Sequence, residues 1–129
     1  VTEPARAALP GGELPAGQLG ARATLLQFSS AFCQPCRATR RVLAEVAALV
    51  PGVAHVEVDA ESRLDVVRGM GVERTPTVIL LDRDGREVRR ATGVPRRSGV
   101  LAALAEAVDR GVDDPVDQGA DAGRPPSMR

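Results

Sequence analysis

"SSAFCQPCRATR", residues 29–40, holds both cysteines of the chain, Cys33 and Cys36, with only Gln34 and Pro35 between them. Ahead of the pair, Ala23 to Ser29 (ATLLQFS) is a short apolar run bounded by small polar residues, as suits a buried strand. Behind it, from Gln34 to Val50, Val42, Val46, Leu49 and Val50 recur at helical spacing. Arg37, Arg40 and Arg41 fall mostly elsewhere on the wheel, and Pro51-Gly52 ends the helix. The cysteines therefore open a helix directly after a strand. Pro35 lies in the first turn, where a missing N–H costs nothing.

Outward from this unit, VAHVEVD (53–59) alternates and is rich in valine, which predicts a second strand. Ser62 and Asp65 fit a capping box for a short helix with Leu64, Val67 and Met70 on its apolar face, closed by Gly69 and Gly71. TVILLD (77–82) reads as a strand buried on both faces, and Asp84-Gly85 as a hairpin turn into EVRRAT (87–92). Ser98 can cap a last helix that buries Leu101, Leu104, Ala105 and Val108. Residues 1–22, with Pro4, Pro10 and Pro15, read as a loosely packed lead-in; 23–110 form the domain; 111–129 offer little to bury and read as a disordered tail. The order is βαβ followed by ββα.

Composition narrows the function classes. At 129 residues the chain suits one core. Its 17 basic residues balance 17 acidic ones, and its only aromatic residues are Phe28 and Phe32, so there is neither a net field nor a stacking platform for nucleic acid. Every basic residue is arginine, which removes Schiff-base lysine chemistry. No run is long enough to cross a bilayer, and no secretion signal is visible. The expectation is a cytoplasmic protein, or a membrane-tethered or extracytoplasmic one were an anchor to precede Val1. The lack of any cysteine outside the pair is compatible with a reducing cytosol.

Three uses of the pair are open at this point. A structural staple closing so short a loop removes little chain entropy. Zinc needs four ligands, and two cysteines with the single His55 do not supply them within one chain. For electron exchange, three residues along a helix set the two Cα atoms ~5 Å apart, inside the range a disulfide tolerates. Cys33 would meet the positive end of the helix dipole, which lowers a thiol's pKa, and Arg37 can add to this. Cys36 would point inward. Cys33 is then the nucleophile and Cys36 the resolving thiol, with no bound cofactor and no metal.

The chain resembles the thioredoxin family over about residues 23–110. LLQFSSAFCQPCR is similar to the first core strand and active-site turn, VAHVEVDAE to the next strand, GVERTPTVILLDRDGREV to the stretch with the cis-proline, and ATGVPRRSGVLAAL to the glycine turn into the last helix. The resemblance implies an α/β thioredoxin-like fold: a central mixed sheet, mainly parallel, with helices on both faces. It also implies a cis Thr75-Pro76 bond facing the cysteines. Thr75 would hydrogen-bond an extended substrate segment, with Phe32, Gln34 and Pro35 on one side of the groove and Thr92, Gly93 and Val94 on the other. The implied function is disulfide exchange on protein substrates by a monomer that an external reductase or dithiol restores. The alternative is a redox-inactive binding module using the same groove.

Four positions depart from the family: Phe32 stands where thioredoxins usually have tryptophan and Gln34 where they have glycine, and Gln27 and His55 differ as well. Gln27 stands where thioredoxins place a buried aspartate, and glutamine cannot ionise. His55 stands where many have a lysine. It is either a neutral histidine near a sheet end or, with its near-neutral pKa, a proton relay that does what Gln27 cannot. Arg89, Arg90, Arg96 and Arg97 read as a solvated face rather than an anion site.

Overall fold

The computed structural model describes residues 19–113, with side chains to 109. The expectations for residues 1–18 and 114–129 lie outside the described residues. Seven elements follow in order: β1 Ala23–Ser29, α1 Gln34–Leu49, β2 Val53–Asp59, α2 Leu64–Gly69, β3 Thr77–Asp82, β4 Glu87–Thr92 and α3 Arg97–Asp113. The strands lie in the order β2-β1-β3-β4. β1 and β3 are central and every residue of each is buried, which is why both read as apolar runs.

The sheet is mixed but not mainly parallel. Only β1 and β2 run parallel, from Ala23↔Val53 to Ser29↔Asp59, while β1–β3 and β3–β4 are antiparallel. α2 has six residues and spans about 9 Å, against about 23 Å for a seven-residue strand, and this helix does not retrace the length of the sheet. β3 therefore starts at the end where β2 stops. This places the turn after β1, the entry to β3 and the exit of β4 at one end of the sheet.

Alternating side chains feed two cores. Leu25, Leu43, Val46, Val78, Leu80, Val100 and Leu104 pack between the sheet and α1 with α3. Leu26, Phe28, Val58, Val66, Met70, Ile79 and Leu81 pack on the opposite face with α2. Helices thus cover both faces, and Phe28 is fully buried.

Several predicted faces are displaced. α1 buries Cys36, Thr39, Leu43 and Val46, leaving Leu49 64% exposed. In α2 the buried residue is Val66, not Leu64, and the N-cap is Arg63 without a side-chain cap. The Ser62 hydroxyl donates instead to the Asp59 carboxylate at 2.8 Å, an Asp59 turn that the capping-box pattern imitates. Ser98 lies inside α3, whose inward residues are Val100, Leu104 and Ala107, while Leu101 and Ala105 face out. The segment VLAALAEAV is apolar at every position but Glu106, so periodicity could not pick its face. α3 also continues past Gly111, a helix-interior glycine costing about 1 kcal/mol.

The last residues of the expected lead-in are tied down. The Gly20 N–H donates to Thr24 Oγ1 at 2.9 Å and the Arg22 N–H to the Gly52 carbonyl at 2.8 Å. A Cβ on Gly20 would lie 2.2 Å from the Ala23 carbonyl oxygen, so no other residue fits there.

Candidate active site

The site is built where β1 gives way to α1. Phe32 takes a left-handed conformation (φ 57°) and stands 98% exposed, an aromatic ring set out into solvent immediately before Cys33. Cys33 is the N-cap residue of α1, with extended backbone, and its Sγ accepts the Cys36 N–H at 3.2 Å. The first turn of α1 contains no carboxylate to oppose negative charge there. An N-cap sulfur that accepts a first-turn N–H at the positive end of a helix is favoured as an anion when reduced.

Cys33 and Cys36 are joined as a disulfide with Cα atoms 5.2 Å apart. Cys33 is partly exposed, while Cys36 is 1% exposed. This difference in access follows from the helix: Cys36 lies on the same inward stripe as Thr39 and Leu43, and Cys33 lies at its outer end. Gln34, Pro35 and Arg37 are exposed around the pair. Among the described residues no cluster of histidine, cysteine or acidic side chains could hold a metal ion.

The β3 entry meets this turn. The Thr75-Pro76 peptide is cis, and the Thr75 and Ser30 hydroxyls lie 2.9 Å apart, binding the proline loop to the segment just ahead of Cys33. The Gly93 N–H donates to the Pro76 carbonyl at 3.0 Å, so the exit of β4 closes the same corner. Gly93 has φ +84°, and a Cβ there would touch nothing; glycine is required by its backbone, not by space. The main-chain N–H and C=O of Thr75 have no partner among the described residues. Thr92 and Val94 are exposed on either side of Gly93. The structure thus gathers Phe32, Cys33, Thr75, Pro76 and Gly93 at one end of the sheet from segments up to 61 residues apart, here Phe32 and Gly93.

Beneath the cysteines lies a polar network that sequence reading saw only in part. Gln27 is fully buried. Its amide nitrogen donates to the Cys36 carbonyl at 2.9 Å and to Ser29 Oγ at 3.0 Å, and its oxygen lies 2.9 Å from His55 Nε2. Gln27 and His55, both expected here, are therefore brought together. Ser29 donates to Glu57 at 2.7 Å, and Arg40 grips both Glu57 oxygens at 2.7 Å. Burial pushes the His55 pKa below its ordinary value, with Glu57 opposing and Arg40 assisting. The Arg40 hydrogen bond holds the Glu57 carboxyl below its ordinary range against burial, helped by Ser29. Ser29, Arg40 and Glu57 were missed because each reads alone as a surface polar residue. The parallel register Gln27↔Glu57 was the signal that could have found them.

Three of the four arginines near the β4 exit are ion-paired: Arg89 with Glu106, Arg90 with Glu87 at 2.7 Å, and Arg97 with Glu45. This supports a solvated face rather than an anion site.

The family model described as Thioredoxin matches residues 18–106. An H-type thioredoxin of Fagopyrum esculentum is 32% identical over 81 residues, covering 63% of this chain and 68% of that protein. The thioredoxin of Chlamydia trachomatis is 30% identical over 82 residues, covering 64% and 79%. Solved thioredoxins share the fold: one from Nicotiana alata (TM-score 0.60, 25% identity, covering 67% of this chain and 74% of that one) and one from Fasciola hepatica (TM-score 0.60, 23% identity, covering 68% and 83%). The chain belongs to the thioredoxin family, and the activity its cysteine pair carries is thiol–disulfide exchange.

Proposed function

We propose that the chain is a protein-disulfide reductase in which Cys33 attacks and Cys36 resolves. The observation that carries this reading is the unequal access of the two sulfurs within one disulfide: Cys33 reaches solvent, and Cys36 does not. In the dithiol form the Cys33 thiolate attacks one sulfur of a substrate disulfide, forming a Cys33–substrate disulfide and expelling the other substrate sulfur as a thiolate. The Cys36 thiolate then attacks Cys33 Sγ, expelling the second substrate thiolate and forming the Cys33–Cys36 bond. Both substrate thiolates take up protons, so two electrons pass to the substrate and the protein is left oxidised. An external reductase or small dithiol must return two electrons and two protons before the next turnover.

The substrate segment lies extended across the cis-proline loop. There the unpartnered Thr75 main chain can make a short strand-like pairing, with Pro76 beneath it. Phe32, Gln34 and Pro35 form one wall, and Thr92, Gly93 and Val94 the other. The protein works as a monomer in a reducing compartment such as the cytoplasm, consistent with having no cysteine beyond the exchanging pair. The domain doing this work is residues 23–110.

Insulin reduction in the presence of dithiothreitol tests the activity, and Cys36→Ser tests the roles. The expected results are acceleration by the parent chain and a trapped mixed disulfide through Cys33 in the variant. No acceleration and no trapped adduct would instead favour a binding module that uses the groove without exchange.

A further inference from the structure

We propose that Arg40, Glu57 and Ser29 are positioning residues that set the direction of a single hydrogen-bond chain, so that neutral His55 is held as its Nε2–H tautomer and serves as a donor rather than as acceptor of the Cys36 proton. The role within catalysis rests on the reading of Cys33 and Cys36 as the exchanging pair; the tautomer does not.

The direction can be followed atom by atom. A guanidinium only donates, so Arg40 Nε and Nη2 give their protons to the two Glu57 oxygens. The ionised carboxylate of Glu57 only accepts, so the 2.7 Å contact with Ser29 uses the one proton of that hydroxyl. Ser29 Oγ can then only accept from its neighbour, the side-chain amide of Gln27 at 3.0 Å. The same amide group faces the Cys36 carbonyl oxygen at 2.9 Å, which is also an acceptor.

Two independent acceptors on one side leave the amide a single orientation. Reversed, Gln27 would set its oxygen against a carbonyl oxygen and a hydroxyl whose proton is already used. Its oxygen therefore faces His55, and across 2.9 Å the ring must supply the proton. Nε2 carries hydrogen, and Nδ1 is the nitrogen left to titrate.

This changes what His55 can do for the cysteines. The ring nitrogen that meets Gln27 already holds a proton, so it cannot take one from Cys36 by way of that amide. The His55 N–H instead anchors Gln27, and Gln27 clamps the Cys36 carbonyl at the start of α1. Around His55, Glu57 from β2 and Arg40 from α1 are the charged groups acting on its titration, while β1 contributes the neutral Gln27 and Ser29.

The chain has one histidine, so its imidazole nitrogens can be read without ambiguity by long-range proton–nitrogen NMR on the whole protein. At a pH where the ring is neutral, the expected spectrum is that of the Nε2–H tautomer. An Nδ1–H tautomer would overturn the proposal, and no variant needs to fold for this result. In Glu57→Gln, Ser29 is released to donate elsewhere, and the tautomer ratio should fall; an unchanged ratio would remove Glu57 from the positioning set.

A kinetic arm separates donor from base. His55→Ala should slow resolution of a preformed mixed disulfide by about fivefold, the effect of one net hydrogen bond. His55→Gln, which offers an N–H but no base, should recover most of that loss and keep the parent's pH profile. A glutamine variant as slow as the alanine one, with the profile displaced, would show that His55 takes the proton. Failure of the parent to reduce insulin would count against the reductase reading alone, since the tautomer is read in the spectrum whatever the turnover.

Discussion

Replacing Gln27 with leucine should destabilise the protein by about 1–2 kcal/mol, a figure set by opposing terms of similar size. The substitution deletes the bonds to Ser29, Cys36 and His55, each worth roughly 0.5–1.5 kcal/mol net. The partners are not stranded. Ser29 keeps Glu57, the Cys36 carbonyl remains in a helical turn, and half-buried His55 can reach water, so the loss stays near the low end. Against it, leucine fills a fully buried site of similar volume and returns part of the loss as apolar burial. The midpoint of thermal unfolding should drop by roughly 4–15 °C. Because the chain has no tryptophan or tyrosine, far-ultraviolet circular dichroism in urea is the suitable assay, run on both oxidised and dithiol forms. A variant as stable as the parent would mean that the three bonds together contribute no more than the burial of leucine returns, which would contradict the net value given to them here.

Other substitutions probe separate parts of the account. Phe32→Ala should leave stability within about 0.5 kcal/mol, since a 98% exposed ring buries nothing, while lowering kcat/KM for insulin through its effect on KM; a marked loss of stability would show that the ring packs in solution. Phe28→Ala, at a fully buried position, should cost about 3–5 kcal/mol in urea unfolding, and a cost under about 1 kcal/mol would contradict the core described. Stability should also fall in two stages on acidification. His55 has a lowered folded pKa, so its contribution is complete above its ordinary value of 6.5 and is lost as pH falls from there through its lowered folded value. The Glu57 contribution is likewise present above 4.5 and is lost as pH falls through its lowered folded value. His55→Gln should remove only the upper stage; a profile identical to the parent's would refute the assignment.

The order of elements was legible because β1 and β3 are buried on both faces and α1 opens on proline between two cysteines. Gly85 and Gly93, both with positive φ, were visible as turns for the same local reason. What escaped depended on partners distant in sequence. Antiparallel pairing of β3 goes with a short α2 that does not retrace the sheet, and no residue in β3 marks it. The inward face of α3 was chosen by contact with the sheet, because alanine and leucine surround the helix. The polar network joins β1 to β2 across 28 residues and α1 to β2 across 17, distances at which neither periodicity nor a motif speaks. Cys33, Cys36 and Pro76 could be read from the line of sequence; Ser29, Arg40 and Glu57 needed the register.

The most direct test of the central claim is the pH dependence of alkylation of the reduced protein by iodoacetamide, with the label assigned to each cysteine by fragmenting the peptide that carries both. The account predicts one fast site, Cys33, whose reactivity titrates below the ordinary thiol value of about 8.5, and a slow Cys36. Equal labelling of the two, or a Cys33 that titrates at or above that value, would contradict it.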